Sequence, residues 1–337
     1  MYAVPDGFHS FFTVLDGHNG PQTSNWLLDN LVNALLGSLG DLYSRVKGAS
    51  PDQEPLVEDI EKTFKDTFKR VDDQIVLEAA EKALAAPTRD EGAALLAQAY
   101  SGSSATVAFY NSHTRLLHVS AVGDSRAVLG RRVALPGGRH VYAVRELTVA
   151  QAGRVSRAFG DGRHKWPRGL HRRLAEAGLA RAPPDAPRMP PHLTAAPEVT
   201  ATAVAPGDFL VVASAGLWER LAGADAVGLV GWWLDARAAE PAGPVRGRLR
   251  EPLLPRELPV AGGFDAGAVR VRAPHKEPRF VNQDENAATH LVRNALGGAD
   301  EEQLAEVLNI EPGQEARRVR YVSERVLRAL NFSKLHV

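Results

Sequence analysis

The sequence contains no cysteine. That excludes disulfides, thiolate zinc sites and every hydrolase that works through a cysteine nucleophile. Hydrolytic chemistry in this chain must therefore use oxygen ligands, histidine or hydroxyls. No charge of either sign is in excess: 40 basic and 40 acidic residues leave a formal net charge of zero. Nothing in that balance points to nucleic acid or to an acidic membrane surface. No run of ~18 apolar residues exists to span a bilayer. The N-terminus MYAVPDGFHS shows neither a signal-peptide pattern nor an Arg-rich transit pattern. No internal repeat and no second-domain boundary is marked. What remains is a chain of 337 residues, 44% hydrophobic and 24% charged, with enough material for a sizeable core.

The stretch that stands out is Phe11–Gly20, FFTVLDGHNG. Phe11, Phe12, Val14 and Leu15 suit a buried strand, and Asp16-Gly17 is a turn dipeptide placed where it should stop. A carboxylate at a strand end, beside a glycine that admits close approach, can offer its oxygens and a neighbouring carbonyl to a hard cation. Taken alone, the same dipeptide reads first as a hairpin turn, because such turns are common.

Along the chain, Thr23 and Ser24 can cap a helix with Leu28, Leu31, Val32, Leu35 and Leu36 on one face and Gly37 at its end. A longer helix is predicted from Asp52 to about Ala86, with Leu56, Ile60, Phe64, Phe68, Val71 and Ile75 as its stripe. From Ser101 the period becomes that of strands: Ala105–Tyr110, Leu116–Val122 and Ala127–Leu129, an antiparallel meander whose second strand ends at Gly123-Asp124. Asp16 and Asp124 are thus expected at the same end of a sheet. Residues Arg131–Arg188 are rich in Arg, Gly and Pro, and read as a solvated face in preference to a basic rim for a phosphorylated partner. Strands follow at Leu193–Val204 and Phe209–Ser214, then helices at Ala222–Leu234, Asp284–Leu296 and Asp300–Leu308.

Five segments, Asp16-Gly17-His18-Asn19-Gly20, Ser101–Ala105, Val122–Ala127, Ser156–Asp161 and Ala213–Trp218, occur in the order found in the metal-dependent Ser/Thr protein phosphatases of the PPM or type 2C family, which this chain resembles from about Phe11 to Leu308. More narrowly, Trp26–Leu31, Leu193–Val199 and Asn286–Leu291 resemble the pyruvate dehydrogenase phosphatase branch and its fungal relatives. The resemblance implies an α+β fold, a PP2C-like α-β-β-α sandwich of two antiparallel sheets flanked by helix pairs, over residues 1–310. Residues 311–337 form an atypical basic tail, predicted helical from Val319, Val322, Val326 and Leu330 at helical spacing.

The resemblance also implies a binuclear Mg2+ or Mn2+ site. Two divalent ions cancel phosphate charge and generate hydroxide at neutral pH for direct hydrolysis of a phosphate monoester. Asp16 would bridge the metals, the Gly17 carbonyl would bind one, Asp124 would help hold a further, weaker ion, and His18 would be the general acid. Asp161 matches an acid expected to be mainly structural. The implied partner is a phosphorylated protein, with the pyruvate dehydrogenase complex and a mitochondrial location suggested by the branch, and the chain is expected to be a monomer.

Four departures fall on this chemistry. The Arg and the Glu-Asp pair that the family carries before the first strand have no counterpart, Ala215 stands where the family has a metal-binding Asp, and Leu147–Gly153 runs directly into Arg154-Val155 where relatives continue for longer. The family's last metal-binding Asp has no counterpart in the tail. An impaired pseudophosphatase that binds phosphoproteins is therefore the alternative expectation, and a truncated or misassembled gene product would show the same edges.

Overall fold

The structure is a computed structural model that describes residues 2–3, 9–50, 52–148, 157–182, 193–239, 251–261, 278–309 and 328–331. The chain divides into two compact units, Met1–Ser125 with Thr148–Thr202, and Arg126–Leu147 with Ala203–Val337.

The first unit begins with β1 (Tyr2–Ala3), paired antiparallel with β2 (His9–His18), the strand predicted at Phe11. Helix α1 (Gln22–Ala49) runs twelve residues beyond Gly37, where an end is predicted, and buries Leu27, Leu31, Leu35, Leu39 and Leu42. Leu28, predicted on that stripe, is 71% exposed. A glycine inside a helix costs about 1 kcal/mol, whereas burying each of Leu39 and Leu42 stabilises by about 1.5–3 kcal/mol. The leucine stripe therefore overrides the stop signal.

The long second helix is interrupted. Helix α2 (Val57–Asp73) passes through one π-helical turn, Gln74–Glu78, into α3 (Ala79–Leu84). Its stripe of Ile60, Phe64, Phe68, Val71 and Ile75 is buried as spaced, but Leu56 precedes the helix and is exposed. Helix α4 (Arg89–Tyr100) lies in a stretch that periodicity leaves unassigned. Its signal is a cap: Thr88 Oγ1 accepts the Glu91 N–H at 3.3 Å, and Thr-x-x-Glu is a helix-start pattern.

Strands β3 (Gly102–Asn111) and β4 (Leu116–Val122) complete the predicted meander beside β2, with Phe11 opposite Phe109 and Phe109 opposite His118. Phe11 and Phe109 stack at 4.9 Å between ring centroids, and Phe64 lies 6.1 Å from Phe109. These aromatics, with the buried leucines of α1, form the core between the helices and one face of this sheet.

The second unit opens with β5 (Arg126–Ala134) and β6 (His140–Glu146). The chain then returns to the first unit for β7 (Phe159–Gly160), α5 (Arg168–Glu176) and β8 (Glu198–Ala203). The first sheet has the order β1-β2-β3-β4-β8, with β7 on β3. β6 and α5 both fall in the Arg-rich stretch read as a solvated face, so arginines there decorate regular elements.

The remainder of the second unit is β9 (Phe209–Ala213), the short α6 (Ala215–Trp218), α7 (Gly223–Ala238), α8 (Ala287–Leu296), α9 (Glu301–Asn309) and β10 (Arg328–Asn331). Its sheet has the order β10-β9-β5-β6. Phe209, Val211, Leu229, Trp232 and Leu291 are among the residues of its core. Arg328–Asn331 corrects the helical reading of the tail at Leu330: it pairs antiparallel along β9, from Arg328 opposite Val212 to Asn331 opposite Phe209. The free hydrogen-bonding edge of β9 outweighs side-chain spacing. Val319, Val322, Val326 and the contraction after Thr148 lie outside the described residues. Two antiparallel sheets, each with helices packed on it, bear out the α+β class.

His118 is fully buried, 5.8 Å from Phe109 in a stacked arrangement, and neither ring nitrogen has a hydrogen-bond partner among the described residues. Burial pushes its pKa down to about 4. An unfolded imidazole takes up a proton near pH 6.5, while the folded ring stays neutral to about pH 4. The stability that depends on this ring is complete above pH 6.5 and is lost as pH falls between those values, by about 2 kcal/mol at pH 5. Urea denaturation at pH 7 and pH 5 should show His118→Phe removing about that much of the drop; an unchanged pH dependence would refute this.

Candidate active site

Asp16, Gly17 and His18 are the last three residues of β2, opposite Ser104, Ser103 and Gly102 of β3. Strand alternation puts Asp16 and His18 on one face and Gly17 on the other. Asp16 is 8% exposed. A Cβ at Gly17 would stand 2.6 Å from Ser24 Oγ, so glycine lets the first turn of α1 close against the strand end. That turn is tied down by Thr23, whose N–H donates to Ser101 Oγ at 2.9 Å and whose hydroxyl donates to the Gln98 carbonyl at 2.8 Å. Thr23 thus holds tertiary structure together, and the helix cap is Pro21, not the predicted Thr23 or Ser24.

Asp124 lies in the turn after β4. Gly123, at φ 94°, packs on Ser104, and Ser125 Oγ is 2.8 Å from Ser104 Oγ. Because Ser104 faces Asp16 across the β2–β3 ladder, the segments carrying Asp16 and Asp124 flank the same point of β3, as the sequence predicts.

His18 has a partner to which the sequence assigns only a structural part. Its Nε2 is 2.5 Å from Asp161 Oδ2, and Asn19 Nδ2 donates to Asp161 Oδ1 at 3.4 Å. Burial by itself would raise the Asp161 carboxyl, but the hydrogen bond and charge at His18, with His164 and Arg163, hold it below its ordinary value. An ionised carboxylate only accepts, so His18 Nε2 carries the proton, and Nδ1 is the nitrogen left for other work. Gly102 makes room for the pair: a Cβ there would stand 2.5 Å from Asp161 Oδ2 and closer still to His18 Nε2.

Asp161 has left-handed backbone, φ 51°. It is pinned by its N–H to the Ser101 carbonyl at 2.8 Å and by its own carbonyl to His164 N–H at 2.9 Å. Beneath it, Lys165 Nζ donates to Asp72 Oδ1 and Oδ2 at 2.8 and 2.7 Å, and Gly160 N–H donates to Asp72 Oδ1 at 2.9 Å. Burial pushes Asp72 up and Lys165 down, and each charge is the main counterweight to the other's shift. Trp166 completes the segment by donating its indole N–H to the Val76 carbonyl of the π-helical turn at 2.9 Å. The only trace of this network in the sequence is Lys165-Trp166, four and five residues after Asp161. Asp72 is indistinguishable there from any acid on an exposed helix face.

The Asp16 carboxylate, the Gly17 carbonyl and the Asp124 carboxylate are oxygen donors of the kind that Mg2+ and Mn2+ take. Among the described residues, no group of three or more His, Cys, Asp or Glu side chains is placed to hold a metal ion. The donors fit in kind and fall short in number. In the second unit, Ala215 is buried as the first residue of α6, and its methyl offers no ligand atom.

A family model described as Protein phosphatase 2C matches residues 6–134 and 142–243, more than half of the chain. This chain belongs to the protein phosphatase 2C family. Among its relatives, a protein phosphatase 2C homolog of Schizosaccharomyces pombe is 30% identical over 327 residues, covering 88% of this chain and 68% of that protein. Mitochondrial pyruvate dehydrogenase (acetyl-transferring) phosphatase 1 of Saccharomyces cerevisiae is 29% identical over 353 residues, covering 92% of this chain and 60% of that protein. Its human counterpart of the same name is 31% identical over 308 residues, covering 78% of this chain and 53% of that protein. The chain therefore spans 53–68% of the length of these relatives. As a type 2C protein it carries no helix among the described residues that is long and apolar enough to cross a membrane.

The crowding at residue 102 is directly testable. Gly102→Ala should destabilise the protein by about 1–3 kcal/mol through overpacking. At Gly37 an added methyl would meet nothing within 4 Å, so Gly37→Ala should instead stabilise by about 0.5–1 kcal/mol in mid-helix. Denaturant midpoints of the two variants moving in the same direction would contradict this account.

Proposed function

We propose that the chain hydrolyses phosphoserine and phosphothreonine esters in proteins. The observation that carries this reading is the His18–Asp161 hydrogen bond at the strand end that also bears Asp16. Asp161 orients the ring, and His18 in its protonated form gives the Nδ1 proton to the departing serine or threonine oxygen, the work of a general acid held in place by a hydrogen bond. Asp16, the Gly17 carbonyl and Asp124 are the oxygen donors this chain would offer to Mg2+ or Mn2+, right in kind and, among the described residues, short of a full set. When bound, such ions neutralise phosphate charge and supply a nucleophile from water at neutral pH. The names of the budding-yeast and human relatives support a phosphorylated subunit of the pyruvate dehydrogenase complex as substrate and a mitochondrial location.

A second reading, favoured by Ala215 and by the short ligand set, is a pseudophosphatase that keeps the fold and binds a phosphoprotein without turning it over. Hydrolysis of a phosphothreonine peptide with Mn2+ separates the two. Activity is expected to vanish with chelator and with Asp16→Asn, and to fall about 10²–10⁴-fold in His18→Gln. No turnover above the metal blank, in wild type and in Ala215→Asp alike, would eliminate the catalytic reading. Calorimetry finding two tightly held divalent ions would eliminate the second.

A further inference from the structure

The Asp72–Lys165 pair is almost fully withdrawn from water, with side chains 10% and 7% exposed. Burying two charges is unfavourable unless further hydrogen bonds satisfy their remaining valences, and well-packed apolar residues usually serve stability as well or better. Here the further bonds go to one place. Asp72 Oδ1 accepts the Gly160 N–H at 2.9 Å and Lys165 Nζ donates to the Ala158 carbonyl at 2.6 Å. Together they close a ring around the turn from Ala158 to Lys165, anchored to α2.

Asp161 lies inside that ring. Left-handed backbone at a non-glycine residue persists only where the surroundings over-determine it, and the clamp fixes the residues on either side. Burial supplies the leverage: with water excluded, neither Asp72 nor Lys165 can exchange its protein partners for solvent, so the turn cannot open without stranding a charge.

We propose that the Asp72–Lys165 pair is the positioning element of His18: it holds the Ala158–Lys165 turn closed, the turn presents Asp161, and Asp161 fixes the orientation and Nε2–H tautomer of the imidazole. The inference deepens the reading of His18 as general acid and rests on it for its catalytic meaning. A general acid matters most when the leaving group is a poor one. Loosening the clamp should therefore slow release of an alkoxide from a phosphothreonine peptide, and spare an aryl phosphate whose acidic phenol departs without a proton.

The test uses the full chain labelled with 15N-histidine in Mg2+ buffer, with His18→Gln to assign the ring resonance. Asp72→Leu/Lys165→Met replaces both charges with apolar groups of similar size and should melt close to wild type, yet lose the hydrogen-bonded His18 Nε2–H signal. Asp72→Asn/Lys165→Gln, which keeps an acceptor for the Gly160 N–H and a donor for the Ala158 carbonyl, should retain it. With Mn2+ present, the Leu/Met variant should lose at least tenfold more kcat on the phosphothreonine peptide than on the aryl phosphate. A folded Leu/Met variant with an intact imidazole signal overturns the proposal, as does equal loss on both substrates. Should that variant fail to fold, Lys165→Met, which removes the donor to Asp72 and to the Ala158 carbonyl, must also lose the signal, and an unchanged one overturns the proposal. Wild type turning over neither substrate would count against the phosphatase reading alone, because the imidazole signal still decides the clamp.

Discussion

The volume beside residue 102 can hold either a side chain or the His18–Asp161 hydrogen bond, and the rest of the first unit is arranged so that it holds the second. β2 and β3 pair in a register that sets His18 over Gly102, and β7 adds Gly160 opposite Gly102 so that Asp161 arrives at the same spot. Gly160 has no room for a side chain either, since a Cβ would run into the Ser101 carbonyl and Thr23. Backbone, not side chain, is what packs at this corner, and that permits a carboxylate from a distant segment to meet a histidine at a strand end. The helices then serve the corner from behind: α1 through Thr23, α2 through Asp72 and the π-helical turn through Val76.

Much of this was legible in the order of residues. The abrupt change from apolar to Asp-Gly-His marks the end of β2, although Asp16-Gly17 is still paired in the strand and the turn falls at Asn19-Gly20, and the repeat of that change at Gly123-Asp124 marks the end of β4, where Gly123 takes up a left-handed backbone that glycine adopts freely. The stripe from Ile60 to Ile75 marks the helical cover. Elements fixed by few residues or by partners far away were not legible. β6 and α5 carry their arginines on outward positions, so composition concealed their periodicity. β10 follows the edge of β9, and no local pattern encodes the need of another strand's edge. The His18–Asp161 pair spans 143 residues of sequence, and nothing near either residue announces the other.

The family pattern rests on two kinds of residue in this chain. What the protein phosphatase 2C pattern shares with it is largely architectural: strand ends, turn glycines and the segment around Phe159–Asp161. At position 215 the chain carries a methyl in a short helix that is buried and well formed, at the place where the resemblance leads one to expect an acid. A methyl in that place leaves packing intact, so the fold exerts no pressure to keep the acid, and only function could. The histidine corner is the reverse case. Its parts are costly to the fold, a left-handed aspartate, a buried ion pair and glycines without substitutes, and they are all present.

The π-helical turn at Gln74–Glu78 has an implication for how this lineage tolerates change in length. A π turn holds one more residue than the α turn it replaces. Deleting any one residue there would restore regular α-helix, and because the wide turn and the α turn it replaces cover about the same rotation, α3 would leave α2 with its buried face in phase. Ala79, Ala80 and Ala83 would stay inward, but the Val76 carbonyl that receives Trp166 would be reclaimed by the helix ladder. The π turn therefore absorbs an extra residue without turning the face that follows, and what it changes is where a backbone carbonyl points. A single-codon deletion in this turn would reach the histidine corner through Trp166 while touching none of the residues that a motif search would guard.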